Sequence, residues 1–412
     1  MKVAVVGGSI AGCSAAILFE RAGHHVSVYE RGTGALVGRG GGIGVSERVL
    51  TSMIQYDMLD EDFAYCRAET MPFVVRTAAH PRRGHRPWDM PSDLATFHWS
   101  ALWRQLRQRV PDANYRAGVE VWGATERSDG RVAIQLADGS EPVFDLAIFA
   151  DGHRSTARHR LFPSVELTYR GYAHWRGLLP ESSVDDPSPL EGAAPRVSYV
   201  EGVGHLVATF LPSAKGSTER GQRLVDWAAY VALPAEDVDA FMTDRRGRLR
   251  EGTLPPGTMD EETEHGLKVQ LRNVLPEIFG EMVERTKSTH AQLVYTAQMP
   301  AYRHGRQVVI GDAGTVTPPF TGSGVFKGFQ NAASLLETTA AHASLDDALE
   351  SWSAKQVRLG ERLTRLGERM EQALIWSPLD LTRADASATQ VWWQQSVTAP
   401  AGFTPEGAPR MV

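Results

Sequence analysis

Lys2-Val3-Ala4-Val5-Val6-Gly7-Gly8-Ser9-Ile10-Ala11-Gly12 opens the chain, and His25-Val26-Ser27-Val28-Tyr29-Glu30 follows after one helix-length segment. A β-branched run over Lys2 to Val6, a helix predicted over Ala11 to Arg21 and closed by Gly23, and a second strand over Val26 to Glu30 form a β-α-β unit. Gly7 permits the tight turn and Gly12 close helix-strand packing. Ser9 takes the middle position of the dinucleotide fingerprint and is small enough for a pyrophosphate to approach the helix N-terminus, past Ile10 and Ala11. Glu30, with Arg31 beside it, ends the second strand with a carboxylate placed for a ribose diol.

A distant stretch returns to the same sheet. Val308-Val309-Ile310-Gly311-Asp312-Ala313 reads as a buried strand that delivers a carboxylate to its C-terminal edge, where open α/β sheets bind ligands. Pro318-Pro319-Phe320-Thr321-Gly322-Ser323-Gly324 comes next, and its glycines open a helix whose free N–H groups suit a negatively polarised group. Phe144 to Ala150 is a further strand ending in Asp151-Gly152, with His153 to Thr156 opening a helix. Asp151 and Asp312 are expected at one sheet edge.

Composition narrows the classes. The chain has 412 residues, 42% of them hydrophobic, and a formal net charge of -6. With a pI near 6.1 it carries no nucleic-acid footprint, and the runs Arg82-Arg83 and Arg245-Arg246-Gly247-Arg248 read as solvated loops. Cys13 and Cys66 make neither a disulfide framework nor a metal spacing, and no histidine spacing suits a metal. No apolar run approaches the roughly 20 residues of a membrane span. A cytoplasmic monomer or homodimer without metal, nucleic acid or membrane span is expected.

Gly32 to Gly44 holds seven glycines in thirteen positions and reads as a loop that turns sharply or lies against a ligand. Strands are predicted over Glu69 to Val75, Arg86 to Met90, Tyr115 to Trp122 and Arg131 to Leu136, and an amphipathic helix over Ser100 to Arg109. The pattern changes near Pro163: strands with Pro-rich joins, then helices over Leu224 to Val231, Glu236 to Met242 and Lys268 to Phe279. Residues 1–68, 91–163 and 301–345 are expected to form the nucleotide domain, 69–90 and 164–300 a second domain, and 346–412 a C-terminal helix and tail, flexible from Ala399. In that helix Leu359, Leu363, Leu366, Met370 and Ala373 make a stripe, either packed on the chain's own domain or forming a coiled-coil dimer seam.

The fingerprint, the central Asp151-Gly152 and the distal Gly311-Asp312 with its proline and glycine-rich turn fall in the order of the class A flavin monooxygenases, typified by para-hydroxybenzoate hydroxylase. The chain resembles that family over most of its length. Tyr169 to Gly177, Arg223 to Tyr230, Thr243-Asp244 and Leu254 to Gly257, with the Gly-Gly-Ser loop and Trp99, resemble its 2,6-dihydroxypyridine 3-hydroxylase branch. The resemblance implies a discontinuous Rossmann-like FAD-binding domain with an inserted α+β substrate domain and a C-terminal helical segment. Gly7 and Gly12 would cradle the FAD pyrophosphate and Glu30 bind the adenosine ribose. Arg39 would meet the cofactor from the glycine loop, Val121 lie by the adenine, and Asp151 support the pyrophosphate region. Asp312 would bond the ribityl chain, Pro319 sit beside the flavin, and Gly322, Ser323 and Gly324 lie at its pyrimidine edge.

The implied activity is monooxygenation: hydride from NAD(P)H to FAD, addition of molecular oxygen at flavin C4a, and transfer of the distal oxygen to an electron-rich aromatic or N-heteroaromatic ring. NAD(P)H docks in this family without a fold of its own, in keeping with the single fingerprint. Epoxidation, dehydrogenation and a flavin-binding module without turnover remain alternatives. Gly314, Phe326, Gln330 and Asn331 depart from the family pattern.

Arg196 to Glu201 and His205 to Leu211 form a predicted hairpin. Alternation places His205, Val207, Thr209 and Leu211 on one face. If that face meets the substrate ring, Thr209 and Tyr199 would bond a hydroxyl and His205 assist its deprotonation, beside Pro319 and Phe320. The pattern fits equally a hairpin that faces only core or solvent. Leu211 aligns where benzoate hydroxylases carry a carboxylate-binding arginine, so the expected substrate lacks a benzoate-type carboxylate.

Overall fold

The computed structural model describes residues 1–34, 36, 40–199 and 204–398. At the centre of its first sheet is β1 (Lys2–Val6), flanked in parallel by β2 (His25–Glu30) and β10 (Leu146–Phe149). β6 (Tyr115–Ala117) extends the sheet from β2, β18 (Gln307–Val309) extends it from β10, and β17 (Arg303–His304) closes the edge antiparallel. Val3, Ala4 and Val5 have no exposed surface, because both faces of the strand are covered; hence the unbroken apolar run.

Helix α1 (Ile10–Arg21) crosses one face of this sheet. α8 (Ser323–Ala341) packs against its start so closely that a Cβ on Gly328 would come 2.6 Å from Ala11 Cβ. The distal segment and the fingerprint are therefore neighbours in space.

The second sheet has nine strands, in the order β15 (Thr253–Leu254), β16 (Thr289–Thr296), β11 (Thr168–Pro180), β14 (Leu224–Ala232), β13 (Gly204–Leu211), β12 (Arg196–Ser198), β4 (Cys66–Val75), β5 (His85–His98) and β3 (Gly42–Ser46). Among the described residues of this sheet only the β12–β4 strand pairing is parallel. On one face Trp175, Trp227, Ala229 and Phe210 form a core with Leu271 of α6 (Glu261–Val274) and Phe279 and Met282 of α7 (Glu277–Arg285). The other face turns towards the nucleotide sheet.

A small sheet of β7 (Val121–Glu126), β8 (Val132–Leu136) and β9 (Val143–Phe144) completes the strands. The other helices are α2 (Glu47–Gln55), α3 (Trp99–Arg107), α4 (Thr156–Leu161), α5 (Val238–Met242), α9 (Leu345–Glu371) and α10 (Ala386–Val397). Among the described residues no helix is long and apolar enough to cross a membrane.

Several expectations are corrected. Leu224 to Val231, expected as a helix, is strand β14. Its partners β11 and β13 and its covered faces keep it almost wholly buried, so polar alternation is muted and the run mimics a buried helix. Tyr115 to Trp122 divides between β6 and β7, which belong to different sheets. Phe144 to Ala150 divides at Asp145, whose carboxylate accepts the Lys2 N–H at 2.7 Å. Arg86 to Met90 lies within the longer β5, and Lys268 to Phe279 is two helices broken at Leu275-Pro276. Gly42 to Gly44, expected in a loop, belong to β3. The tail from Ala399 lies outside the described residues. In the α9 stripe, Leu366 and Met370 pack with Phe320 and Leu374 of the same chain.

Candidate active site

At the first sheet the backbone itself makes the site. Gly7 has φ +104°, and a Cβ there would lie 2.4 Å from Ala150 O; one on Gly12 would lie 1.8 Å from Gly7 O. No other residue fits either position. The Glu30 carboxylate accepts the Gly8 and Gly32 N–H groups, each at 2.8 Å, which fixes it at the mouth of the turn. Trp103 Nε1 and the Tyr115 hydroxyl donate to Gly8 O at 3.0 and 3.1 Å. Burial pushes the Cys13 thiol up to about 12, so it stays protonated and inert.

Asp151 takes the Ala157 N–H and the Thr156 hydroxyl on one oxygen, each at 3.2 Å; its other oxygen is buried with no partner among the described residues. From α4, Arg158 donates to Asp312 O at 3.0 Å, which couples the two strand ends.

A cavity of about 1090 Å³ runs from Ser9, Ile10 and Ala11 past Gly152 and Asp312 to Pro319, Phe320, Gly322, Ser323 and Gly324, and on to His205 and Thr209 of the second sheet. One cavity thus joins predicted residues from both sheets. Gly7, Gly12, Glu30, Arg31, Val121 and Asp151 do not line it, and Val121 borders a separate small pocket. Arg39 falls outside the described residues.

The segments that depart from the family pattern have local reasons. A Cβ on Gly314 would meet the buried Tyr302 ring at 2.5 Å. Asn331 accepts the Gly311 N–H at 2.8 Å and donates to Gln356 at 2.7 Å, which holds the turn that carries Asp312. Lys327, 3% exposed, places its ammonium 2.6 Å from the Asp312 carboxylate. Gly322 adopts φ +63° immediately before α8, whose N-terminus is therefore open to the cavity.

Across the cavity, side chains make the wall. Strand pairing aligns His174, Tyr230 and His205 in one row on β11, β14 and β13, and Arg176, Ala228, Val207 and Arg196 in the next. Tyr230 is stacked between the two imidazoles, with centroids 4.7 Å from His174 and 4.6 Å from His205. Phe320 sits 4.6 Å from Tyr230 and 5.4 Å from His205. Burial drives both histidines well below their ordinary value, so each is neutral. Neither nitrogen of His205 has a partner among the described residues.

Arg176, partly buried, and Asp226, buried, form an ion pair at 2.7 Å. Together they clasp Gly42: the guanidinium donates to its carbonyl at 2.7 Å and the carboxylate accepts its N–H at 3.1 Å. A Cβ at Gly41 or Gly42 would come 2.6 Å from the pair. Gly41 and Gly42 therefore answer to this pair.

Two expectations change. Tyr199 does not line the cavity; its hydroxyl donates to Tyr230 O, and the ring sits in the core behind the sheet. Leu211 has no surface on the cavity and lies under Gly42. Conversely His174, Arg176, Asp226 and Tyr230 line it, as do Leu359 and Leu363 from α9. The i, i+2 spacing of His174-Arg176 and of Asp226-Ala228-Tyr230 signals them once both segments are read as strands.

Comparison with known proteins agrees with this arrangement. A family model described as FAD binding domain-like matches residues 169–296. The 2,6-dihydroxypyridine 3-monooxygenase of Paenarthrobacter nicotinovorans is 27% identical, over 90% of this chain and 91% of its own. The aurachin C monooxygenase/isomerase of Stigmatella aurantiaca is 25% identical, over 91% and 90%. The solved 2,6-dihydroxypyridine-3-hydroxylase of Arthrobacter nicotinovorans superposes with a TM-score of 0.82 at 25% identity, covering 93% of this chain and 95% of that one. With the fingerprint, the Asp-Gly and Gly-Asp strand ends and the shared architecture on one cavity, the chain is similar in sequence and fold to flavoprotein monooxygenases of class A.

Proposed function

We propose that the protein is an FAD-dependent, NAD(P)H-consuming monooxygenase that hydroxylates an electron-rich aromatic or N-heteroaromatic small molecule with molecular oxygen. The observation that carries this reading is the single cavity, which runs from the fingerprint helix past Asp312 and the start of α8 to the aromatic row of the second sheet. The residues fit FAD: Ser9, Ile10 and Ala11 at the start of α1 line the cavity, and the turn before them closes so tightly on the chain's own backbone that Gly7 and Gly12 admit no side chain. Bound FAD would supply two-electron exchange with NAD(P)H and activation of oxygen.

The chain's own residues do the rest. Glu30 would hold the adenosine ribose and Asp312, steadied by Lys327, the ribityl chain. The open N-terminus of α8 would stabilise negative charge at the flavin pyrimidine edge. Phe320, Leu359 and Leu363 would keep water from the reacting ring. Burial makes His205 a weak base, so its unpaired nitrogens would bond and orient a ring hydroxyl rather than take its proton, and Thr209 offers a second hydrogen bond.

The test is oxygen incorporation. Protein reconstituted with FAD, given NAD(P)H and ring compounds under isotopically labelled oxygen, should show ring-stimulated NAD(P)H oxidation with one labelled oxygen in the product. NAD(P)H oxidation that yields only hydrogen peroxide with every ring tried would refute hydroxylation.

A further inference from the structure

Helix α9 carries a stripe of cations beside the cavity. Lys355, Arg358, Arg362, Arg365 and Arg369 follow one another at steps of three, four, three and four, which puts them on one helix face with no acid among them. All but Arg369 are exposed, and among the described residues their one ion pair joins Arg365 to Glu361 at 3.9 Å. The neighbouring face of α9 lines the cavity through Leu359 and Leu363, and Arg362 lines it with them. From α2, Arg48 lines the same cavity, likewise exposed and without an ion pair among the described residues. Arg176 and Lys327, by contrast, each have a carboxylate.

Cations at these spacings repel one another and weaken a helix unless something negative meets them. The proposed cycle brings such a group: it consumes a second dinucleotide, while the chain carries one dinucleotide fingerprint, which FAD would occupy. The diphosphate of the reductant therefore needs cationic partners elsewhere, and guanidinium groups suit it best. The cavity also offers aromatic surface for its bases, since Tyr56, which ends α2, and Phe329 of α8 both line it with ring centroids 5.6 Å apart. Resting on the monooxygenase reading, we propose that Arg48 and Arg362, with the cationic stripe of α9 behind Arg362, dock the diphosphate of NAD(P)H. The reductant then enters the cavity on the side of α2 and α9, with the remaining stripe drawing the dianion towards it.

The experiment mixes the FAD-reconstituted protein with reductant in the absence of oxygen and follows bleaching of the flavin bands. The probes are NADH, NADPH and reduced nicotinamide riboside, which keeps the hydride donor and lacks the diphosphate. Arg48→Gln, Arg362→Gln and the double variant remove the charges, and Arg362→Lys keeps one. Expected is a rise of about 10-fold in the apparent Kd of NADH or NADPH in each single variant, a larger rise in the double variant and partial recovery in R362K. Reduction by the riboside should change little. Salt should weaken NAD(P)H binding to the wild type and much less so to the double variant, a readout that a loss of folding does not mimic. Equal NAD(P)H affinity in the double variant and wild type, or an equal loss with the riboside, overturns the assignment. A wild type that holds FAD but is reduced by none of the three donors overturns the NAD(P)H-consuming reading itself.

Discussion

The two walls of the cavity are built on different principles. The fingerprint wall, lined by Ser9, Ile10 and Ala11, is supported by missing volume: at Gly7, Gly12 and Gly328, off the cavity, a Cβ would strike backbone or a neighbouring helix. At the substrate wall the functional feature is side-chain chemistry, laid out in rows by strand register across β11, β14 and β13. Those glycines admit no side chain, whereas the second wall can change its chemistry residue by residue on an unchanged sheet.

The sharpest way to break the comparison is Gly12→Val. Its Cβ would meet Gly7 O, so a destabilisation of about 3 kcal/mol or more and loss of FAD uptake are expected. Thermal unfolding and FAD titration check this; a stable variant with normal FAD affinity would remove the steric account of the turn.

Asp226→Ala tests the substrate wall at its ion pair. It leaves the partly buried Arg176 uncompensated beside Gly42, with an expected cost of about 2 kcal/mol in denaturant unfolding. A smaller loss for the double variant Asp226→Ala, Arg176→Met than for Asp226→Ala alone would show that the unpaired charge is the cause.

Lys327→Met probes the junction of the walls. Asp312 is partly exposed and Lys327 buried, so little stability rests on the pair. The expected effect is a roughly 10-fold weaker FAD Kd with a nearly unchanged melting temperature. Unchanged FAD affinity would separate Lys327 from the cofactor.

The smallest effect is a pH dependence. His174 and His205 are held neutral by burial, with folded values well below the ordinary 6.5. Below 6.5 the unfolded chain binds protons that the folded one refuses, so their contribution is complete above 6.5 and lost as pH falls below it. Melting temperatures from pH 7.5 to 5 should fall, and fall less in His205→Phe; identical slopes would mean that His205 is not the group responsible.

The fingerprint wall was legible because its signals are local. Gly7, Gly12, Glu30 and the Gly311-Asp312 strand end sit at fixed offsets from turns and strand termini, and the chain places β18 beside β10 as the apolar runs required. The substrate wall was half legible. His205 and Thr209 emerged from alternation in β13, but β14 is buried on both faces and its apolar run read as a helix, which hid Asp226 and Tyr230. Arg196 was missed for another reason: nothing in a sequence tells a solvated arginine from one enclosed by Trp393 and Met71, which converge on it from distant segments. Tyr199 was misplaced because its ring turns behind the sheet and its hydroxyl caps a backbone carbonyl.

If the two walls are the two ends of one flavin site, FAD and a ring ligand must sense each other. The most direct measurement titrates the purified protein with FAD, then titrates the complex with a hydroxylated ring while recording the visible flavin absorption. One FAD per chain, with a saturable shift of the flavin bands as the ring binds, is the predicted result. A chain that takes up no FAD, or flavin bands that stay unchanged while the ring demonstrably binds, would contradict it.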